Sequence, residues 1–185
     1  MKPATIQKWN TFFFFLTDYA CYQGALKGMP WLGFVMFGLL VVVFLPSTPQ
    51  KKERLLVALV VALAGFALDS ALIFFHVYQA REESRWLLPA PFCPEWVLVL
   101  WINFGFMLYI FWRLLSRSVL TAISVGVVFA FSVYGNAARM ELLTLRSPEL
   151  ASLAIIAVLW AVLIPLSARG AERAFTGGIH VASAE

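Results

Sequence analysis

The chain has 185 residues, of which 62% are hydrophobic and 13% charged, with a mean hydropathy of +0.84. So few charges cannot clothe a soluble globule, and a lipid bilayer is the expected solvent. The formal charge of +4 does not point to nucleic acid, because the Lys and Arg residues stand in short clusters between apolar runs, where they act as orientation signals.

Reading apolar runs against breakers, in chain order, predicts helices over residues 10–28, 31–46, 55–78, 95–115, 118–139 and 149–168. Six spans at about 20 residues each use most of the chain and leave short connections. The first run is the most dilute: Thr17, Asp18, Tyr19, Tyr22 and Gln23 interrupt it, and its hydrophobicity rests on the phenylalanines at 12–15. It reads as a retained helix rather than a cleaved signal, since Asp18, Tyr19 and Gln23 occupy the place of a small-residue cleavage site. A variant with five spans and a first helix lying on the surface is the alternative. Gly28 and Pro30 break the first hairpin, Pro46 and Pro49 end the second helix, Pro89, Pro91 and Pro94 stiffen the loop before the fourth, and Pro165 should kink or fray the last. Trp31, Trp86, Trp96 and Trp112 fall near span ends, as interfacial anchors, whereas Trp101 and Trp160 fall deeper and should pack between helices.

With the N-terminus inside, Lys2, Lys8, Lys51, Lys52, Arg54, Arg113, Arg117, Arg169 and Arg173 collect on the inner side, against Lys27, Arg81, Arg85, Arg139 and Arg146 outside. That imbalance favours an N-in, C-in protein with several passes through the membrane. The expected fold is therefore an all-α membrane bundle of about six transmembrane helices over residues 1–169, followed by a disordered cytoplasmic tail at 170–185 that contains His180.

Ionisable groups inside a membrane cost about 2.5 to 3.5 kcal/mol on insertion scales, so Asp18 and Asp69 each need a reason. Counting about 1.5 Å per residue from the outer helix ends puts Asp69 about 13 Å deep, Asp18 about 15 Å and Asn103 about 12 Å, near one level. Ala58, Ala62, Gly65 and Asp69 share one narrow face of the third helix, where another helix can approach closely. His76 lies seven residues beyond Asp69 on that face. Asp69 and His76 can then mark a path inward from the outer surface, with Ser70, Asn103 and Asn136 as neighbours. Equally, Asp69 can be a packing residue hydrogen-bonded to Asn103 or a tyrosine hydroxyl, His76 an interfacial side chain, and Asp18 a device that holds the first helix shallow.

No chemistry motif stands out. Cys21 and Cys93 form no CxxC, only two histidines are present, and no Gly-x-Ser-x-Gly elbow, His-Glu-x-x-His helix, Asp-rich metal motif or phosphate-binding glycine loop occurs. Neither a resident cofactor nor an autonomous hydrolase or transferase is expected.

Asn10 with ACYQGALKGMPWLG (20–33), the Leu-Asp-Ser of 68–70, PEWVLVLWINF (94–104), SVYGNAAR (132–139) and LWAVLIPL (159–166) together resemble a bacterial family of short multi-spanning inner-membrane proteins known only as a domain of unknown function. The resemblance implies an acidic position on the third span, which Asp69 matches, and an aromatic where this chain has Asp18. It also implies an association with lipid-modifying systems such as cyclopropane fatty acid synthesis. Three functional classes stay open: a small carrier or channel-like module using Asp69, an accessory subunit or scaffold of a membrane complex, and a lipid-modifying enzyme with unfamiliar residues. Membrane lipids are the expected surroundings, and either self-association or a partner membrane protein is expected.

Overall fold

A computed structural model describes residues 3–182. Six helices account for most of them: α1 (Pro3–Leu26), α2 (Leu32–Phe44), α3 (Lys51–Phe74), α4 (Glu95–Arg117), α5 (Val119–Arg139) and α6 (Glu149–Ala182). This is the all-α membrane protein expected. α3, α4, α5 and α6 are each long and apolar enough to cross a membrane. α1 has the length but carries polar residues. α2, at 13 residues, rises only about 20 Å, short of the roughly 30 Å hydrocarbon core. The two pack together as a hairpin leaning on α4.

Exposed Val42, Leu63, Leu120 and Val158 on four different helices belong to an apolar outer surface that suits lipid and would be costly in water. Inside, α4 is the hub, touching α1, α2, α3, α5 and α6. The small-sided face of α3 receives it as expected. A Cβ on Gly65 would overlap the indole of Trp101, and one on Gly105 would come within 2.8 Å of the Ala58 Cα. Trp101 and Trp160 pack between helices as expected, their rings tilted by 40° with centroids 4.5 Å apart. Trp96, expected as an interfacial anchor, is instead buried against Tyr22, with ring centroids 5.6 Å apart. Trp31 and Trp86 are exposed as anchors should be.

Two short strands that the hydropathy pattern does not reveal close one end. β1 (Tyr78–Ala80) follows α3, β2 (Leu143–Leu145) follows α5, and they pair antiparallel with Gln79 opposite Thr144. Each is reached by the same device. His76 after α3 (φ 55°) and Glu141 after α5 (φ 57°) turn left-handed, and the next amide, Val77 or Leu142, donates back to Leu72 or Ala137 at 2.9 Å. That is the C-terminal cap geometry that stops a helix without glycine, tolerated by His more readily than by most side chains. At the α1–α2 turn glycine does this work, with Gly28 at φ 67°.

The opposite end holds the starts of α1 and α3 and the ends of α4 and α6, so Lys51, Lys52, Arg117 and Arg173 gather there, away from Arg81, Arg85, Arg139 and Arg146. The tail expected from residue 170 onward is a correction: α6 runs helically through Pro165 and Gly170 to Ala182. Its continuation is held because Ala168, Ala171 and Phe175 fall on one face and are buried, Phe175 lying edge-on to Tyr109 at 5.3 Å. Residues 183–185 lie outside the described residues.

Candidate functional site

Asp69 sits on α3 about 8 Å from the helix end, nearer than the sequence count placed it, because α3 stops at Phe74. It is 0% exposed. Three donors from three elements converge on it: the Tyr78 hydroxyl of β1 on Oδ1 at 2.8 Å, the Tyr134 hydroxyl of α5 on Oδ1 at 2.5 Å, and the Trp101 indole N–H of α4 on Oδ2 at 2.5 Å. Asn103 is not among them. The cage is aromatic all round: Tyr78 and Tyr134 meet edge to face at 5.5 Å, and Trp160 lies against both Trp101 and Tyr134. No cation pairs with the carboxyl among the described residues. With three of its roughly four acceptor positions filled by donors on different elements, Asp69 ties α3, α4, α5 and β1 together.

A second polar group lies beside it. Asp18 on α1 and Asn103 on α4 are each about 12 Å from the end of their helix nearest the strands. They meet as equal depth implies: the Asn103 amide donates to Asp18 Oδ1 at 2.8 Å and to the Phe14 carbonyl at 3.0 Å. The Asn103 carbonyl oxygen is buried with no partner among the described residues. Asp18 faces a cleft of about 230 Å³ between α1 and α5, floored by α4 and α6 and walled by Phe15, Leu100, Phe104, Phe129, Trp101 and Trp160. Tyr22 closes one side, its hydroxyl donating to the Val133 carbonyl at 3.3 Å. Ser132 and Asn136 of α5 stand at the exposed rim.

The sequence-derived set therefore divides. Asp18 and Asn136 line the cleft, with Asn103 buried behind Asp18 and bonded to it, and Tyr134 and Trp101 line it while holding Asp69 just behind the wall. Ser70 belongs elsewhere: its hydroxyl accepts from the Cys93 amide at 2.9 Å and staples the loop before α4 to α3. His76 is exposed and serves as the helix cap, so it faces away from Asp69. Among the described residues no group of three or more His, Cys, Asp or Glu is placed to hold a metal ion.

Of the two partners expected for Asp69, the tyrosine hydroxyl is present twice over and Asn103 is absent; sequence reasoning did not name which tyrosines, nor the Trp101 indole. The available signal was chemical: a buried tyrosine or tryptophan usually gives its O–H or N–H to a polar partner, although the indoles of Trp96 and Trp160 have none among the described residues, and a buried carboxylate needs donors.

Glu95, at the start of α4, is a further site residue of a structural kind. Its carboxylate accepts the backbone N–H groups of Trp86, Leu87 and Leu88 at 3.0, 2.5 and 2.6 Å, gathering the proline-rich loop onto the helix N-terminus. The PEWVLVLWINF stretch thus carries a loop anchor in Glu95, a packing indole in Trp96, an Asp69 donor in Trp101 and the α1 tie in Asn103.

No curated protein and no solved structure matches the chain. A family described as protein of unknown function (DUF2878) matches residues 8–166, which takes in α2 to α5, nearly all of α1, the cleft, the Asp69 cage and the first half of α6. The chain belongs to that family.

Proposed function

We propose that this protein is a small carrier-like membrane module that admits an apolar molecule bearing one hydrogen-bonding group from the bilayer into the cleft beside Asp18. The observation that carries the reading is the cleft itself, an aromatic and aliphatic chamber with a single carboxylate on its wall, itself oriented by Asn103. Ligand sites of this kind are largely apolar with a few convergent polar groups. At about 230 Å³ the chamber is somewhat below the usual range of about 300–1,000 Å³, which suits a small hydrophobe or a segment of acyl chain. In this reading Asp69 is the strut behind the wall, and Asp18, which is partly exposed, is the group that meets the ligand.

Native mass spectrometry of the full chain in mild detergent tests it. The protein should retain a discrete small mass, and Asp18→Ala should lower that retention about tenfold while the variant stays folded, as expected for loss of one hydrogen bond. Absence of any retained mass, or retention indifferent to Asp18→Ala, would contradict the reading. A role as accessory subunit is the second reading, favoured by the sealing of Asp69 behind three donors, which suits a scaffold more than an ion path. It calls for a stoichiometric polypeptide in the same spectra.

The same proposal orients the bundle in a bacterial inner membrane with the Lys51–Lys52 end in the cytoplasm and the paired strands outside. Cys21 and Cys93 are buried, so an impermeant maleimide has little background. In intact cells Glu82→Cys should label at once and Lys52→Cys only after permeabilisation; the reverse order would invert the topology.

A further inference from the structure

Arg54 is the least expected buried side chain in the molecule. It lies in the first turns of α3, is 1% exposed, and has no carboxylate partner among the described residues. Its Nε donates to the Phe106 carbonyl at 3.0 Å and one terminal nitrogen, Nη1, to the Thr48 hydroxyl at 2.7 Å, while the guanidinium lies 3.5 Å over the Phe106 ring. The other terminal nitrogen, Nη2, is buried and unpartnered among the described residues. A guanidinium cannot discharge itself, so a buried one without a counter-charge is costly unless an anion completes it.

Space for that anion is present. Arg54 lines a pocket of about 440 Å³ at the basic end of the bundle, between the start of α1, the α2–α3 turn, the end of α4 and α6. Arg113 lines it as an exposed second cation, and Asn10 lines it with a buried carbonyl oxygen that also lacks a partner among the described residues. Two residues that line the pocket thus each hold a buried polar atom without a partner among the described residues, and a third supplies a second positive charge.

We propose that this pocket binds a phosphate-class oxyanion, held by Arg54 and Arg113, whose neighbouring hydroxyl or amine donates to Asn10. Arginine matches phosphate oxygens in charge and in donor geometry, and in the membrane placement proposed above, the pocket, at the ends of the helices, meets the headgroup layer. The oxyanion is either the headgroup of a phospholipid or a free phosphate compound. This site lies at the opposite end of α1 from Tyr22 and is independent of the cleft beside Asp18.

Thermal unfolding of the delipidated full chain in dodecyl maltoside, with three added probes, tests it: dioctanoyl phosphatidylglycerol, inorganic phosphate, and dioctanoylglycerol, which has the tails without the phosphate. The phosphatidylglycerol should raise the midpoint and the dioctanoylglycerol should not. Stabilisation by inorganic phosphate as well assigns the site to free phosphate compounds, and its failure with phosphate alone assigns it to a headgroup. Arg54→Met and Arg113→Gln should each weaken the binding about tenfold or more, the loss expected for one charge-assisted contact. Arg54→Met without ligand should be at least as stable as the wild type, because it removes an uncompensated buried charge. Arg113, being exposed, gives a variant that folds in any case. The inference is overturned if no phosphate probe stabilises the protein, if dioctanoylglycerol does so equally, or if both variants bind as the wild type does.

Discussion

Asp69→Ala should be among the most destabilising single truncations in this protein, lowering its resistance to unfolding by about 3–5 kcal/mol. The substitution strands three buried donors at once, Tyr78, Trp101 and Tyr134, and each abandoned donor costs about 1–3 kcal/mol, with part of the sum recovered by relaxation. Asp69→Asn should cost less. Its carbonyl oxygen still accepts from both tyrosines, and only the Trp101 N–H is left facing an NH₂ group. Unfolding in mixed detergent micelles, followed by tryptophan fluorescence, gives the order wild type, Asn, Ala. If Asp69 were instead a water-reached relay, Asn and Ala would leave stability nearly unchanged and alter only transport.

Glu95→Ala comes second, and its effect should be local. Three consecutive amides of the loop, at 86–88, lose their common acceptor at the N-terminus of α4, where a carboxylate is also favoured by the helix dipole. The expected cost is about 2–4 kcal/mol, a sum for three hydrogen bonds to one charged group reduced by new contacts with water. Hydrogen exchange should show the amides of Trp86, Leu87 and Leu88 losing protection while those in the middle of α3 and α4 keep theirs. Uniform loss of protection would mean that Glu95 supports the whole bundle rather than its loop.

Much of this architecture is legible from periodicity and depth. The apolar runs place all six helices, and the small face of Ala58, Ala62 and Gly65 announces the close approach that Gly105 and Trp101 make. Equal depth along their helices brought Asp18 and Asn103 to one level, and they are bonded. The partners of Asp69 were harder for a physical reason. Tyr78 comes after the helix ends, in a strand of three residues paired with positions 63 to 67 residues away in sequence, and pairing that short leaves no alternation to read. Depth counted along an uninterrupted helix puts Asp69 level with Asn103, whereas the shortfall of α3 at Phe74 lifts the carboxyl to the height of Trp101. His76 fell on the Asp69 face only while the helix was taken to continue. Beyond residue 169 the small and polar composition masked a helix that depends on Ala171 and Phe175 finding a buried face, a tertiary effect with no local signature.

Arg54 shows the opposite failure. In the sequence it is one more member of a basic cluster that orients the chain, indistinguishable from Lys51 and Lys52, which are exposed. Only packing separates a solvated orientation signal from a guanidinium enclosed under Phe106.

The most direct test of the central proposal is photolabelling of the protein in membranes with a diazirine-bearing fatty acid, followed by mapping of the adducts. Labels should concentrate on the cleft residues Phe15, Phe129 and Ser132 and fall on Asp18→Ala, relative to open lipid-facing positions such as Val42, Leu63 and Val158. Adducts spread evenly over the lipid-facing surface, and unchanged by Asp18→Ala, would contradict a cleft that takes up a molecule from the bilayer.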